Sequence, residues 1–292
     1  MPMPEDGPDT GYSMSDNRHD ETSEYVDEAM YQSAPIDEKG PRVFVLWATP
    51  DPLGAIAAMC MMYEGNPVYN LDTLSAQQRE HYWLEVQKTH LKAPLESVKM
   101  HFFIEGVTRA FTHQMVRQRT AVYAQESLRF AVKEEMAVEA HVPATIGDGD
   151  NLLIWNDVLC TIQQGYNQLI ANGVPAEDAR ELLPHATTTR LHYVTDLRNL
   201  LEHAGNRLCT QAAFEWRAVF LGIMDALEAI NWQWKYIVMS DVFKPICFQL
   251  GKCPFTADFD RKCTIRERVQ AGRWEEIHSS EYLADPTAGR RD

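Results

Sequence analysis

The stretch from Thr112 to Phe130 concentrates the side chains best suited to holding an anion. It places Arg117, Arg119 and Arg129 beside Gln114, Gln118, Gln125, Glu126 and Ser127 within nineteen residues. A guanidinium presents a fixed planar fork of donors that matches phosphate oxygens, and a serine hydroxyl adds a short donor. Such a set is what a nucleotide phosphate or a pyrophosphate requires. The same residue types could equally make surface ion pairs on a solvated helix and loop, and spacing alone leaves both readings open.

The order of these residues adds a second kind of information. Arg117-Gln118-Arg119, seven residues, then Ser127-Leu128-Arg129 resembles the R-H-R-x7-S-x-R signature of the flavin-dependent thymidylate synthases, the ThyX family. The preceding stretch, from Pro94-Leu95-Glu96 through Phe103-Ile104-Glu105-Gly106-Val107-Thr108-Arg109-Ala110-Phe111-Thr112-His113-Gln114, is similar to the family's approach to that signature. Ala179-Arg180-Glu181-Leu182-Leu183-Pro184 resembles its second phosphate-binding block. Asp196-Leu197-Arg198-Asn199-Leu200, with Asn206-Arg207 and Ala212-Ala213-Phe214-Glu215, resembles the block that carries its base-orienting arginine. Four blocks in the same order cover most of residues 42–240.

The resemblance implies an FAD enzyme that methylates dUMP to dTMP, with methylenetetrahydrofolate as carbon donor and NADPH as reductant. It implies that Ser127, Arg129 and Arg180, with Gln125 and Glu126 beside them, hold the deoxynucleotide and that Gln114 lines its pocket. Arg207 is implied as the catalytic arginine that orients and polarises the pyrimidine. Arg117, Gln118 and Arg119, together with Ser97, Asp196 and Glu202, are implied at the flavin. The implied assembly is a homotetramer with active sites between subunits. In such an enzyme the cofactors carry the difficult chemistry, and the protein supplies position and electrostatics.

The departures from the family pattern are specific. Gln118 stands for the central histidine of the motif, Val122 and Ala124 for a serine and an asparagine, and Gln125 for a glutamate. Ser97 stands for a flavin-site histidine, Asp196 and Glu202 for asparagines, and Gln211 for a later histidine. Amides can replace imidazole donors, but an ionised carboxylate only accepts. A related C5 transfer such as hydroxymethylation, action on dCMP, and a non-catalytic nucleotide-binding homologue are the alternatives.

These residues need a scaffold. The expected fold is α+β: one domain over residues 41–292 with a mixed helix and antiparallel-sheet core, preceded by a disordered acidic tail over residues 1–40. That tail carries eleven acids against two bases and four prolines, a local charge of −9, with no aliphatic clusters to offset the entropy of ordering it. Arg42–Ala48, Val98–Glu105 and Thr187–Thr195 read as strands. Leu53–Tyr63, Ser75–Leu91 before a stop at Pro94, and about ten residues after Thr108 read as helices. So do Asn151–Asn172, Val174–Glu181 between Pro175 and Pro184, and Leu197–Ala204 behind an Asp196 cap. Gln211–Trp234 reads as one long helix.

The 292 residues are 45% hydrophobic with a net charge of −15, a balance that disfavours coating nucleic acid through its phosphates. The N-terminus has no signal-peptide pattern and no apolar run is long enough for a membrane span, so a cytoplasmic enzyme of small-molecule partners is expected. Six cysteines are too few for a disulfide scaffold. Cys247, Cys253 and Cys263 could supply three thiolates to a structural zinc. Their spacing lacks the paired C-x2-C of common zinc sites, so buried thiols and no metal are the expectation. Cys60, Cys160 and Cys209 are expected in the core, as are Trp216, Trp232 and Trp234.

Overall fold

The computed structural model describes residues 40–133, 135, 139–147, 149–254, 263, 265–273 and 276. The acidic tail expected over residues 1–40 therefore lies outside the described residues except for Gly40.

Four strands form one antiparallel sheet: β1 (Arg42–Ala48), β2 (Lys99–Thr108), β3 (Val122–Gln125) and β4 (Thr188–Asp196), in the order β1-β2-β4-β3. Alternate side chains share a face of a pleated strand, so Val43, Val45, Met100, Phe102, Ile104, Leu191 and Tyr193 all enter the same core. The register of β2 on β4 shifts between Glu105 and Val107. Gly106 sits in that shift with φ +72°, and a Cβ there would come within 3.0 Å of the Gly40 carbonyl oxygen, so glycine is needed on two counts.

Helices close the inner face. They run as α1 (Pro52–Tyr63), α2 (Ala76–Lys88), α3 (Ala93–Glu96), α4 (Arg109–Met115), α5 (Asp150–Ala171), α6 (Ala176–Ala179), α7 (Leu197–Arg207), α8 (Phe214–Glu228), α9 (Trp232–Val238), α10 (Ile246–Leu250) and α11 (Arg266–Gln270). The caps expected from sequence are present: Ser75 and Gln78 make a full capping box on α2, Thr108 accepts from the Phe111 N–H, and Asp196 accepts from the Asn199 N–H. Trp83, Trp216, Phe220, Ile223, Leu200 and Trp234 fill the space between helices and sheet.

Several expectations change. α2 ends at Lys88, because Thr89 turns to extended backbone, and Pro94 belongs to the first turn of α3 rather than merely stopping α2. The expected long helix over Gln211–Trp234 is two helices. Asn231 divides them: its side-chain oxygen accepts from the Gln233 and Trp234 N–H groups and its amide donates to the Pro50 carbonyl, so it restarts the chain as α9. β3 arises inside the polar motif, where its four residues carried no strand signal. Trp232 is half exposed (49%) and Cys160 is exposed on α5, so these two are not core, whereas Cys60 is partly buried and packs against it.

α5 is the helix least engaged with the core. It buries Leu159 and Tyr166, and meets a small second cluster of Ala140, Trp155, Leu183 and Ala186. Leu153, Ile154 and Val158 on it remain more than half exposed. Among the described residues no helix is long and apolar enough to cross a membrane.

Candidate active site

A cavity of about 460 Å³ opens where α4 starts beside the 3₁₀ turn Arg180–Leu182. Arg109, Thr112, His113, Gln125, Arg180 and His185 are among its lining residues. Thr108 caps α4 and so fixes the helical turn that carries Arg109, Thr112 and His113 on one side. Burial first, and then the positive charge of Arg180, pull the Arg109 guanidinium below the usual arginine range, while Glu126 pushes the other way. Two like charges held together in a partly buried cavity are relieved by an anion. Gln125 enters the same space and donates to the Thr112 hydroxyl (3.0 Å).

Arg109, Thr112, His113 and His185 line the cavity although none of them was expected in a site from sequence, and Arg109 is the guanidinium among them. The available signal was its position at the head of α4, one turn before His113, in the block already recognised as leading to the motif.

The rest of the Ser-x-Arg segment is arranged differently. Leu128 lines the cavity, whereas Ser127 accepts from the Arg129 backbone N–H (3.3 Å) and the exposed Arg129 side chain pairs with Glu177 at 2.8 Å. Glu126, next along the chain from Gln125, faces a second cavity of about 370 Å³. There its carboxylate meets Lys133 and Arg190, each at 3.2 Å, and the buried Lys133 also pairs with Glu139 at 2.8 Å.

A second constellation joins α4, α7 and α8. Arg207 is the last residue of α7, and its guanidinium carbon lies 4.4 Å from the Trp216 ring centroid. The Trp216 indole N–H donates to the Gln114 side-chain oxygen at 3.0 Å. Trp216 thus connects the residue expected to polarise the base with one expected to line the nucleotide pocket. One turn earlier on α7, His203 is pushed down to about 4, by burial first and by Arg207 second. Glu215, beside Trp216 on α8, accepts from the Thr108 N–H (2.5 Å) and hydroxyl (2.7 Å). Burial raises the Glu215 carboxyl, and these two hydrogen bonds hold it partly back. The contact ties α8 to the first turn of α4, so the Arg109 cavity and the Arg207–Trp216 pair are held in one frame.

The residues expected at the flavin divide into three groups. Arg117 and Arg119 are exposed on the turn after α4. Gln118 between them is buried: its oxygen accepts from the Tyr193 hydroxyl (2.9 Å) and the Tyr123 hydroxyl (3.3 Å), and its amide donates to the Asn199 carbonyl (3.3 Å). Burial raises both tyrosine hydroxyls above the ordinary range, which keeps them as donors. Asp196, Ser97 and Glu202 form the third group, and none of them lines the 460 Å³ cavity. Asp196 is occupied by Asn199 and by Lys99 at 3.3 Å, Ser97 donates to the Pro94 carbonyl, and Glu202 pairs with Arg198 at 3.3 Å.

Comparison with known proteins bears on this geometry directly. The family described as thymidylate synthase complementing protein (Thy1) matches residues 45–231. A flavin-dependent thymidylate synthase of Pyrococcus horikoshii is 31% identical over 234 residues, covering 78% of this chain and 95% of that protein. Those of Pyrococcus furiosus (33% over 189 residues, 64% and 76% covered) and Geobacter sulfurreducens (29% over 192 residues, 65% and 83%) are also similar. The crystal structure of thymidylate synthase X from Helicobacter pylori with FAD and dUMP shares the fold, with a TM-score of 0.54 and 18% identity over 69% of this chain and 98% of that one. The matched span contains β2, β3, β4 and the second half of β1, both arginines of the cavity, and Gln114, Arg207 and Trp216. This chain belongs to the flavin-dependent thymidylate synthase (ThyX) family.

Proposed function

We propose that this chain is an FAD-dependent enzyme that methylates dUMP to dTMP. The observation that carries the reading is the convergence of Arg109 and Arg180 in one cavity, framed by the Thr108–Glu215 contact against the Gln114–Trp216–Arg207 chain. The two guanidiniums suit a nucleotide phosphate. Arg207, rigidly backed by an aromatic face, suits the task of orienting a pyrimidine and stabilising charge that develops on it.

The residues present fit a flavin dinucleotide in part. Arg117 and Arg119 are open guanidiniums on a turn and supply the donors its diphosphate needs, whereas Gln118 is engaged inside the core. When bound, the flavin supplies hydride, and the chain's own residues grip the phosphates, orient the base and exclude water from it. Methylenetetrahydrofolate as carbon donor and NADPH as reductant complete the proposed reaction. A homotetramer is part of the same proposal: exposed Arg117 and Arg119 are supplied by one chain, and exposed Leu153, Ile154 and Val158 give an apolar surface for a second copy.

Two carboxylates stand where family members have asparagines, and a carboxylate facing the base would favour the amino group of cytosine. Both are occupied: Asp196 caps α7 and Glu202 pairs with Arg198. This supports uracil over cytosine. The test is purified protein supplied with FAD, NADPH, methylenetetrahydrofolate and either dUMP or dCMP, with products identified by mass. dTMP from dUMP is expected. A protein that takes up no flavin, or prefers dCMP, overturns the reading.

A further inference from the structure

We propose that the outer face of the sheet is the surface on which a second copy of this chain packs, across a twofold axis that runs along the strands. The inner face is closed by the helices, and an antiparallel sheet with one solvated face should alternate apolar residues inward with polar ones outward. The outer face departs from that pattern. Its side chains form rows across all four strands, because each residue lies beside its register partner. One row is Trp47, His101, Val194 and Val122, in the order β1, β2, β4, β3. The next is Phe44, Phe103, His192 and Ala124. No acid, lysine or arginine interrupts either row. Aromatic contacts run along the second, with ring centroids 6.1 Å apart for Phe44 and Phe103 and 5.3 Å apart for Phe103 and His192. The His101 and His192 rings share a hydrogen bond of 3.0 Å, so part of the polar demand of the patch is met within it. Val122, at the β3 edge, is 67% exposed in one chain alone.

A third row borders the patch and identifies what covers it. Arg42, Glu105, Arg190 and, just beyond β3, Glu126 stand in the same strand order, so their charges alternate in sign. Arg42 pairs with Glu105 at 2.5 Å and Arg190 with Glu126 at 3.2 Å. A twofold axis parallel to the strands lays the sheet on its copy with the strand order reversed, β1 over β3 and β2 over β4. Arg42 then faces the copy's Glu126, and Glu105 faces the copy's Arg190. Sizes match under the same operation: Trp47 meets the copy's Val122, and Phe44 meets the copy's Ala124. A face that complements itself in both charge and volume suits an isologous contact. Apolar rows bordered by a charged one also have the anatomy of an interface, and sheets stacked face to face pack about 10 Å apart at roughly −30°.

This contact deepens the homotetramer proposed above and rests on it. A tetramer of dihedral symmetry needs two different isologous contacts per chain, and the exposed apolar residues of α5 offer one. The sheet face supplies the other. β3 begins three residues after Arg119, so the contact also brings a neighbouring chain up to the turn that carries Arg117 and Arg119.

The test reads mass rather than catalysis, so its outcome is independent of the flavin and dUMP reading. Sedimentation velocity of the full-length protein should find tetramers at micromolar concentration. V122R and A124R, which set an arginine against the copy's β1, should each give dimers. I154R, altered on α5, should also give dimers, and V122R combined with I154R should give monomers. Where a variant fails to fold, hydroxyl-radical labelling of the unaltered protein, read by mass spectrometry, decides the matter. Trp47 and Trp232 are about equally exposed in one chain alone, at 52% and 49%, and in the assembly Trp47 should be labelled several-fold more slowly. A monomeric unaltered protein, V122R and A124R that both remain tetramers, or Trp47 labelled as fast as Trp232 would each overturn the proposal.

Discussion

The Arg207 guanidinium rests 4.4 Å from the centre of the Trp216 ring, and the indole N–H of that ring holds the Gln114 side chain at 3.0 Å. One aromatic residue on α8 therefore sets the position of two groups on two other helices. Burial lowers the proton affinity of Arg207, and the negative face of the indole compensates by favouring the cation. Phe111 packs on the same indole with a centroid distance of 4.5 Å, which leaves it little freedom to turn.

Trp216→Leu should keep the fold and lower turnover. A partly desolvated cation–π contact is worth about 1–2 kcal/mol, so kcat should fall roughly five- to thirtyfold. The KM for dUMP should change less, because orientation of the base is felt most in the transition state. Steady-state kinetics on the folded variant check this, and an unchanged kcat would sink the coupling of Trp216 to Arg207.

Arg109→Ala and Arg180→Ala should each weaken nucleotide binding by about 2 kcal/mol, roughly thirtyfold, without unfolding the protein. Calorimetric titration with dUMP measures it. In Arg109→Ala the loss should shrink for deoxyuridine, which lacks the phosphate. Equal losses for nucleotide and nucleoside would remove the phosphate from this cavity.

The pH dependence of stability should carry the mark of His203. Its proton affinity in the fold lies near 4, below the ordinary 6.5, so the unfolded chain binds the proton first as pH falls. This group's contribution is complete above pH 6.5 and is lost between 6.5 and about 4. Denaturant unfolding across that window should show a slope that flattens in His203→Gln. Arg207→Gln should raise the His203 titration, followed by NMR of the ring, because it removes the second cause of the shift.

Gln118→Leu should destabilise the protein by about 1–3 kcal/mol, since it leaves the Tyr193 hydroxyl buried without its acceptor. Flavin affinity should fall far less than in Arg117→Ala. Fluorescence titration with FAD separates the two, and a flavin defect in Gln118→Leu equal to that of Arg117→Ala would place the glutamine at the cofactor instead.

Removing residues 1–39 should leave thermal stability and dUMP turnover nearly unchanged. Gly40 should be kept, because it is buried and its carbonyl lies against Gly106 at the register shift of β2. A large loss of turnover in the truncated chain would assign the acidic segment to the site.

Much of the scaffold was legible because its signals are local. The apolar run of β1, the alternation of β2, the β-branched residues of β4, and the side-chain caps at Ser75, Thr108 and Asp196 are written within a few residues of the elements they specify. The break at Asn231 was not, since the residues around it favour helix; the asparagine divides the run by capping α9 locally while its amide also reaches Pro50, distant in sequence. In the site, Arg180 and Gln125, which come from two separate family blocks, line one cavity. Arg109 was not singled out because its place in the cavity depends on the Arg180 turn, brought beside it from about seventy residues away in sequence. The motif specifies a serine at 127 and an arginine at 129, but Arg129 turns to Glu177 and the neighbouring Glu126 to Lys133, contacts that no spacing reveals.

The small second cluster under α5 has a consequence in time. Amides in the sheet share the main core and should exchange with solvent only on global unfolding, whereas α5 is anchored by few buried side chains and should open on its own as a separate cooperative unit. The same cluster includes Leu183, one residue beyond the turn that carries Arg180. Each opening of α5 would therefore loosen one of the two guanidiniums while Arg109, fastened through Thr108 and Glu215, stays in place. The cavity would then have a still wall and a breathing one, and the rate at which any occupant leaves would be set by the breathing one.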